Sequence, residues 1–256
     1  MRSPRLAACL LALAACRPLA AAAAPEEIQV YLDDLTPPGS FGTDVHNNYV
    51  VSGSGTPDYA GGEAPLHLYR LTPEFYYGLS DTLELGLYLL TTRQPGRDFM
   101  FDGPKARLKF IAPHTEDAGA FWGLNLELGK TSLRVSEQPW GTELKGIAGY
   151  RWPRWLLAVN TDVDWDSTRA FGGAPTLGLD TKLAYTTDAG WQGGFELYDE
   201  LGPLRHVGGL RDRSQTLYAV VDTALGPRLD LDAGIGRGLT TASDRWIIKF
   251  ILGIHY

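Results

Sequence analysis

Residues 122–128 read Trp-Gly-Leu-Asn-Leu-Glu-Leu. The apolar residues occupy every second position, with Asn125 and Glu127 between the leucines. A period of two places successive side chains on opposite faces of a β-strand. The segment therefore predicts a strand with one apolar face and one polar face.

The same alternation recurs along the chain, and helical spacing is nowhere sustained. It predicts an all-β fold of about twelve antiparallel strands. The expected strands lie near residues 44–53, 65–79, 81–92, 102–113, 119–132, 139–151, 154–165, 175–187, 190–201, 214–226, 228–239 and 245–256.

The expected connections alternate in length. Short turns lie at 80–81, 113–119, 152–154, 188–190 and 226–227, and longer loops rich in Gly, Pro, Ser and Asp lie between them. Short turns at one end and long loops at the other are typical of a transmembrane up-and-down β-barrel. The alternative is a soluble β-sandwich or lipocalin-like barrel, because alternation alone does not tell which face points outward.

Two features favour the membrane barrel. The expected last strand alternates from Trp246 to Tyr256 and ends on that aromatic residue, as in the terminal strands of outer-membrane proteins that the barrel-assembly machinery recognises. All seven tryptophans lie near expected strand ends, where the headgroup regions of a bilayer would hold them. We therefore expect outer-membrane lipid and the assembly machinery as partners.

Charged residues lie in mid-strand on the polar face. A basic side chain facing lipid at the bilayer midplane costs roughly 2–4 kcal/mol, so these residues are expected to face an enclosed lumen. The candidate lumen-lining residues are Glu84, Arg107, Lys109, Glu127, Asp162, Asp180, Lys182, Glu196, Asp222 and Lys249.

Residues 1–24 are interpreted as a secretory signal peptide. Arg2 and Arg5 precede an apolar stretch, and residues 20–24 are alanines that suit cleavage. The sequence before Cys16 also fits a lipoprotein box, and this alternative stays open. Residues 25–43 are expected to form a periplasmic or lumenal segment, and residues 44–256 the barrel.

Composition and motifs exclude several function classes. The net charge is −7, and the acidic chain has no basic run for nucleic acid. Both cysteines lie in the leader. The five histidines lack zinc-site spacing, and Gly234–Gly238 lies within a strand pattern. We expect no catalytic residues, cofactor or metal, although a cluster assembled in three dimensions stays open.

An ordered set of short motifs resembles a family of uncharacterised Gram-negative outer-membrane barrels related to phenol-degradation-pathway (MetA-pathway-like) transporters. The motifs span residues 27–256. They are 27–31, 46–49, 72–75, 77–81, 83–88, 105–110, 123–128 and 242–244. The resemblance implies a location in the bacterial outer membrane and a barrel fold, and it transfers no catalytic residue.

The sequence thus predicts a monomeric, non-enzymatic outer-membrane barrel that acts as a narrow passive channel for small solutes. The resemblance adds hydrophobic or aromatic solutes to that expectation. Two alternatives stay open. One is an outer-membrane lipid-modifying enzyme that uses His46 or His67, and the other is a closed structural or adhesive barrel.

Overall fold

The computed structural model describes residues 27–115, 118–169, 174–205 and 207–256. The expected signal peptide at 1–24 lies outside the described residues. No helix among the described residues has the length and apolar character needed to cross a membrane.

Twelve antiparallel strands form one closed barrel in which each strand pairs with the next along the chain and the last pairs with the first. The prediction of a twelve-strand up-and-down barrel is confirmed. The strands are β1 (Phe41–Ser52), β2 (Tyr69–Ser80), β3 (Leu83–Arg93), β4 (Met100–Ile111), β5 (Gly119–Lys130), β6 (Trp140–Arg151), β7 (Trp155–Asp166), β8 (Thr176–Thr186), β9 (Gln192–Pro203), β10 (Gln215–Gly226), β11 (Leu229–Gly238) and β12 (Trp246–His255).

Most strand ends lie within two residues of the expectation, and the starts of β1 and β2 differ by three and four residues for local reasons. β1 begins at Phe41 rather than 44, because Phe41 pairs with Tyr77 and its carbonyl accepts the Tyr256 N–H at 3.3 Å. β2 begins at Tyr69 rather than 65, because the preceding residues form a turn. In this turn His67 has a φ of 62° and the Leu68 N–H donates to the Pro65 carbonyl at 3.0 Å.

The apolar faces of the strands point away from the barrel axis. Leu85 and Leu126 are 44% and 48% exposed, whereas their neighbours Glu84 and Glu127 are buried. Five tryptophans are also exposed large apolar residues, namely Trp122, Trp140, Trp152, Trp155 and Trp191. Strands of 10–12 residues match the length that a tilted strand needs to cross a bilayer. The outer surface is therefore an apolar band with aromatic residues toward its rims.

This orientation predicts the effect of Leu126→Arg. The residue lies near the middle of β5 on the outward face, so a guanidinium there should lower the free energy of unfolding in lipid vesicles by about 2–4 kcal/mol. Denaturant unfolding followed by tryptophan fluorescence measures the loss. The control is Leu133→Arg in the β5–β6 loop, at a residue that is 60% exposed. Equal losses of unfolding free energy in Leu126→Arg and Leu133→Arg would contradict the outward orientation of Leu126.

Candidate functional site: a lumen occupied by the N-terminal segment

The polar faces of the strands meet inside the barrel. Eight of the ten predicted lining residues are buried there, namely Glu84, Arg107, Lys109, Glu127, Asp162, Lys182, Glu196 and Lys249. Asp180 and Asp222 are partly buried and lie 3.8 Å from Lys145 and 3.0 Å from Lys182, respectively. The ten residues do not form one cluster but are distributed over several ion-pair groups.

The first group is centred on Arg107 of β4. Its Nε lies 2.5 Å from Glu74 Oε1, and its Nη2 lies 2.7 Å from Glu84 Oε1. Lys105, two residues earlier on the same face, pairs with Glu127 of β5 at 2.6 Å. Each basic side chain therefore pairs with carboxylates on other strands, as charge compensation in a buried site requires.

A second group surrounds Lys145 of β6. Its Nζ lies 2.5 Å from Asp162 Oδ1, 3.2 Å from Glu143 Oε1 and 3.8 Å from Asp180 Oδ2. One ammonium group thus serves three carboxylates on β6, β7 and β8. The group has an excess of negative charge.

The third group joins two lysines through shared acids. Lys249 of β12 lies 2.6 Å from Glu196 and 3.3 Å from Asp232. Lys182 of β8 lies 3.0 Å from both Glu196 and Asp222. Lys249 and Glu196 are completely buried, and each has a second ion-pair partner, Asp232 for Lys249 and Lys182 for Glu196.

Residues 27–40, here called the lumenal segment, lie inside the barrel before β1 begins. The Tyr31 N–H donates to Asn160 Oδ1 at 2.6 Å, and Asn160 Nδ2 donates to the Tyr31 carbonyl at 3.0 Å. The Tyr31 hydroxyl lies 2.6 Å from that of Tyr88 and donates to Glu127 at 3.2 Å. The completely buried side chain of Asn160 in β7 therefore pairs with both the N–H and the carbonyl of Tyr31, as the backbone of a neighbouring strand would.

Charged lining residues also bind the segment's backbone. Lys249 Nζ donates to the Ile28 carbonyl at 3.1 Å, and Lys109 Nζ donates to the Asp34 carbonyl at 2.7 Å. The Thr36 N–H donates to Glu84 Oε2 at 2.7 Å. Three of the predicted lining residues thus bind backbone groups of the lumenal segment, and Glu127 accepts from the Tyr31 side chain.

The Tyr31 ring lies among cations. Nζ of Lys109 and Nζ of Lys145 lie 5.4 and 5.3 Å from its centroid, and Cζ of Arg107 lies 5.7 Å from it. These distances are within cation–π range. Tyr31 therefore connects the Arg107 and Lys145 groups at the centre of the lumen.

The segment leaves the barrel at the short-turn end. Asp33 pairs with Arg151, and Asp33 Oδ2 lies 2.9 Å from His114 Nε2. Further along, the Gly39 N–H donates to the Gly78 carbonyl at 2.8 Å. A Cβ on Gly78 would lie 2.3 Å from the carbonyl oxygens of Thr36 and Pro37, so the segment can pass β2 this closely only because residue 78 is glycine.

Apolar side chains fix the segment at two heights. Ile28 packs in a cluster with Val50, Tyr218, Val220 and Ile247. Val30 and Tyr31 pack in a second cluster with Ile111, Phe121, Ile147, Leu156 and Ala158. The inward face therefore carries apolar residues as well as charges, and these meet the segment.

Cavities lie on both sides of the segment. One of about 780 Å³ extends toward the long loops and is lined by residues such as Gln138, Pro203 and Arg213. Another of about 410 Å³ lies toward the short-turn end, beside residues such as Tyr76 and His255. Gln29 and Tyr31 line both cavities. The segment thus borders both cavities and lies between them.

The long loops interact across the mouth of the barrel. Arg134 in the β5–β6 loop lies 3.0 Å from Glu63 in the β1–β2 loop and 2.5 Å from Asp102 of β4. Burial raises the pKa of Asp58 in the β1–β2 loop. The loops therefore cover part of the larger cavity.

The two histidines of the enzyme alternative face opposite sides of the wall. His46 is 1% exposed and lies 3.1 Å from Glu74 in the lumen. His67 is exposed, and its Nδ1 lies 3.0 Å from the hydroxyl of the exposed Tyr49. They do not form one site.

The sequence reasoning missed the residues that hold the segment. Asn160 lies in an alternating run that marks it as inward, but no local pattern indicates that it binds the backbone of residue 31. Ile28, Val30 and Tyr31 precede the first strand with no periodicity longer than a few residues. The available signal in the sequence was that these three residues are apolar although they precede the first expected strand.

The ion pairs predict a large cost for Arg107→Met. The variant leaves Glu74 and Glu84 buried without their cation, so the free energy of unfolding should fall by about 3–5 kcal/mol. The double variant Arg107→Met/Glu84→Gln should recover part of the lost free energy of unfolding. The control is Arg97→Met in the exposed β3–β4 loop, and a similar loss there would contradict the assignment. Denaturant unfolding of the refolded barrel measures all three variants.

A closed barrel with an even number of antiparallel strands, an apolar outer band and a charged lumen has the architecture of outer-membrane proteins. No family model matches the chain, and no curated protein matches it. Solved structures do match. A KdgM porin aligns with a TM-score of 0.54 and 9% identity, covering 84% of this chain and 98% of that chain. A KdgM porin in complex with disordered oligogalacturonate aligns with a TM-score of 0.52 and 10% identity, over 84% and 98%. The chain shares the barrel fold of outer-membrane porins.

Proposed function

We propose that this chain is a passive channel for small solutes across the bacterial outer membrane, with the lumenal segment as its constriction. The observation that carries the proposal is the pair of cavities that meet at Gln29 and Tyr31. A solute entering from the long-loop side reaches charged groups at this point, where hydrogen bonds and the local field select it. The barrel acts as a monomer in outer-membrane lipid, and the assembly machinery inserts it.

The charge of the larger cavity favours cations. Eleven of the described residues that line it carry carboxyl groups, and three are Lys or Arg. Such an excess attracts counter-ions and raises their local concentration. Oligogalacturonate, the ligand in one of the KdgM porin structures, carries carboxylates that this lining would repel. The proposed solutes are therefore cationic or neutral.

Aromatic side chains extend the proposal to aromatic solutes. Tyr31, Tyr198 and Tyr218 line the larger cavity together with Trp165, and their rings offer faces for stacking. The resemblance to phenol-degradation-pathway transporters agrees with solutes of this kind. A small aromatic cation such as benzylammonium combines both preferences.

Single-channel recording in planar bilayers tests the channel. We expect discrete current steps from the full protein and larger steps from Tyr31→Ala, because this change removes the contacts with Tyr88 and Glu127 at the constriction. Tyr49→Ala is the matched control, since Tyr49 is exposed on the outer surface. The absence of current from both the native protein and Tyr31→Ala would favour the closed structural barrel and overturn the proposal.

The same recordings test the solute class. In a KCl gradient the reversal potential should shift toward the equilibrium potential of K⁺. Benzylammonium should reduce the current at lower concentration than benzoate, which has the same ring and the opposite charge. Anion selectivity, or equal block by both compounds, would contradict the proposed preference while leaving a channel in place.

A further inference from the structure

Three metal-binding side chains from different elements converge in the lumen. Glu27 belongs to the lumenal segment, His46 to β1 and Glu74 to β2. One nitrogen of His46 and one oxygen of each glutamate lie within 4.8 Å of one another. Ligand atoms around a tetrahedral zinc ion at about 2.1 Å are separated by roughly 3.4 Å, so small side-chain rotations bring these three donors to a common ion.

Two of these side chains have polar atoms without a hydrogen-bond partner. Glu27 Oε1 and His46 Nδ1 are both buried and unpartnered, and the His46 side chain is 1% exposed. An unpaired buried polar atom costs free energy, and native proteins satisfy nearly all of them. One atom of the His46 imidazole and one of the Glu27 carboxylate therefore lack a partner, and a metal ion is a partner that both would bind.

The local charge is also unbalanced. Glu74 shares Arg107 with Glu84, and Lys105 pairs with Glu127. Adding Glu27 and His46 makes four carboxyl groups around two permanently charged basic side chains and one imidazole. A divalent cation would offset the difference, and buried charges in proteins are compensated by ion pairs or metals.

The geometry points to a divalent transition-metal site of the zinc class at Glu27, His46 and Glu74, which fixes the lumenal segment to the barrel wall. An imidazole with two carboxylates suits Zn²⁺ better than Mg²⁺ or Ca²⁺, which prefer oxygen ligands alone. Because three protein ligands leave a position for water, the site remains open to the larger cavity, which Glu27 also lines. The metal joins residue 27 to two strands that lie next to each other in the sheet.

Equilibrium dialysis of the metal-stripped, refolded full chain against ZnCl₂ in detergent tests the site. We expect about one Zn²⁺ per chain, by the ligand count above, and affinity at least about tenfold lower in Glu27→Gln and in His46→Gln. Glu27→Gln lies outside every strand, so the barrel should fold normally, and tryptophan fluorescence checks this.

Two control variants keep the same chemistry elsewhere in the molecule. His67→Gln changes an exposed histidine, and Glu137→Gln changes an exposed acid that lines the same cavity outside the cluster. Both should bind Zn²⁺ as the native chain does. The site is overturned if the native chain binds no Zn²⁺, if Glu27→Gln and His46→Gln retain it, or if Mg²⁺ or Ca²⁺ is bound more tightly. Zinc binding is measured in detergent without a membrane. Its result therefore does not depend on whether the protein conducts ions.

Discussion

The structure depends on one constraint: a backbone N–H or C=O facing hydrocarbon must find its partner within the protein. An open sheet would leave two edges unpaired, so β1 must pair with β12 over the length of both strands, as it does from Gly42 to Ser52. Closure then gives every strand one face toward lipid and one toward the axis. Leucines such as Leu126 occupy the outer face, and all mid-strand charge is directed inward.

Charge that is enclosed must also be compensated. The strands supply lysines and arginines that reach acids on adjacent and on more distant strands, as Arg107 of β4 does with Glu84 of β3 and Glu74 of β2. Carbonyls of the lumenal segment supply further partners, including that of Ile28 for Lys249. The segment is therefore part of the electrostatic balance of the lumen as well as an obstacle within it. Its removal would expose both cations and apolar residues such as Phe121 to water.

The barrel was predictable because its signal is local and repeated. Alternation around Glu84 and Glu127 separates a polar face from an apolar face without knowledge of any neighbour. The tryptophan positions and the last expected strand favour the polar face as the inner one, and the order of short and long connections indicates the topology. Which charges pair was not predictable, because Lys145 reaches Asp162 and Asp180 on two different strands. The path of residues 27–40 was also beyond sequence reasoning, since the backbone contact between Tyr31 and Asn160 depends on strand positions that no local pattern encodes.

The hydrogen bond from Lys249 to Ile28 joins residues 221 positions apart. Contacts of such long sequence separation form slowly, because the intervening chain must first be ordered. The contact that holds Ile28 in the lumen needs β12 in place, so one of the first described residues of the chain becomes fixed late.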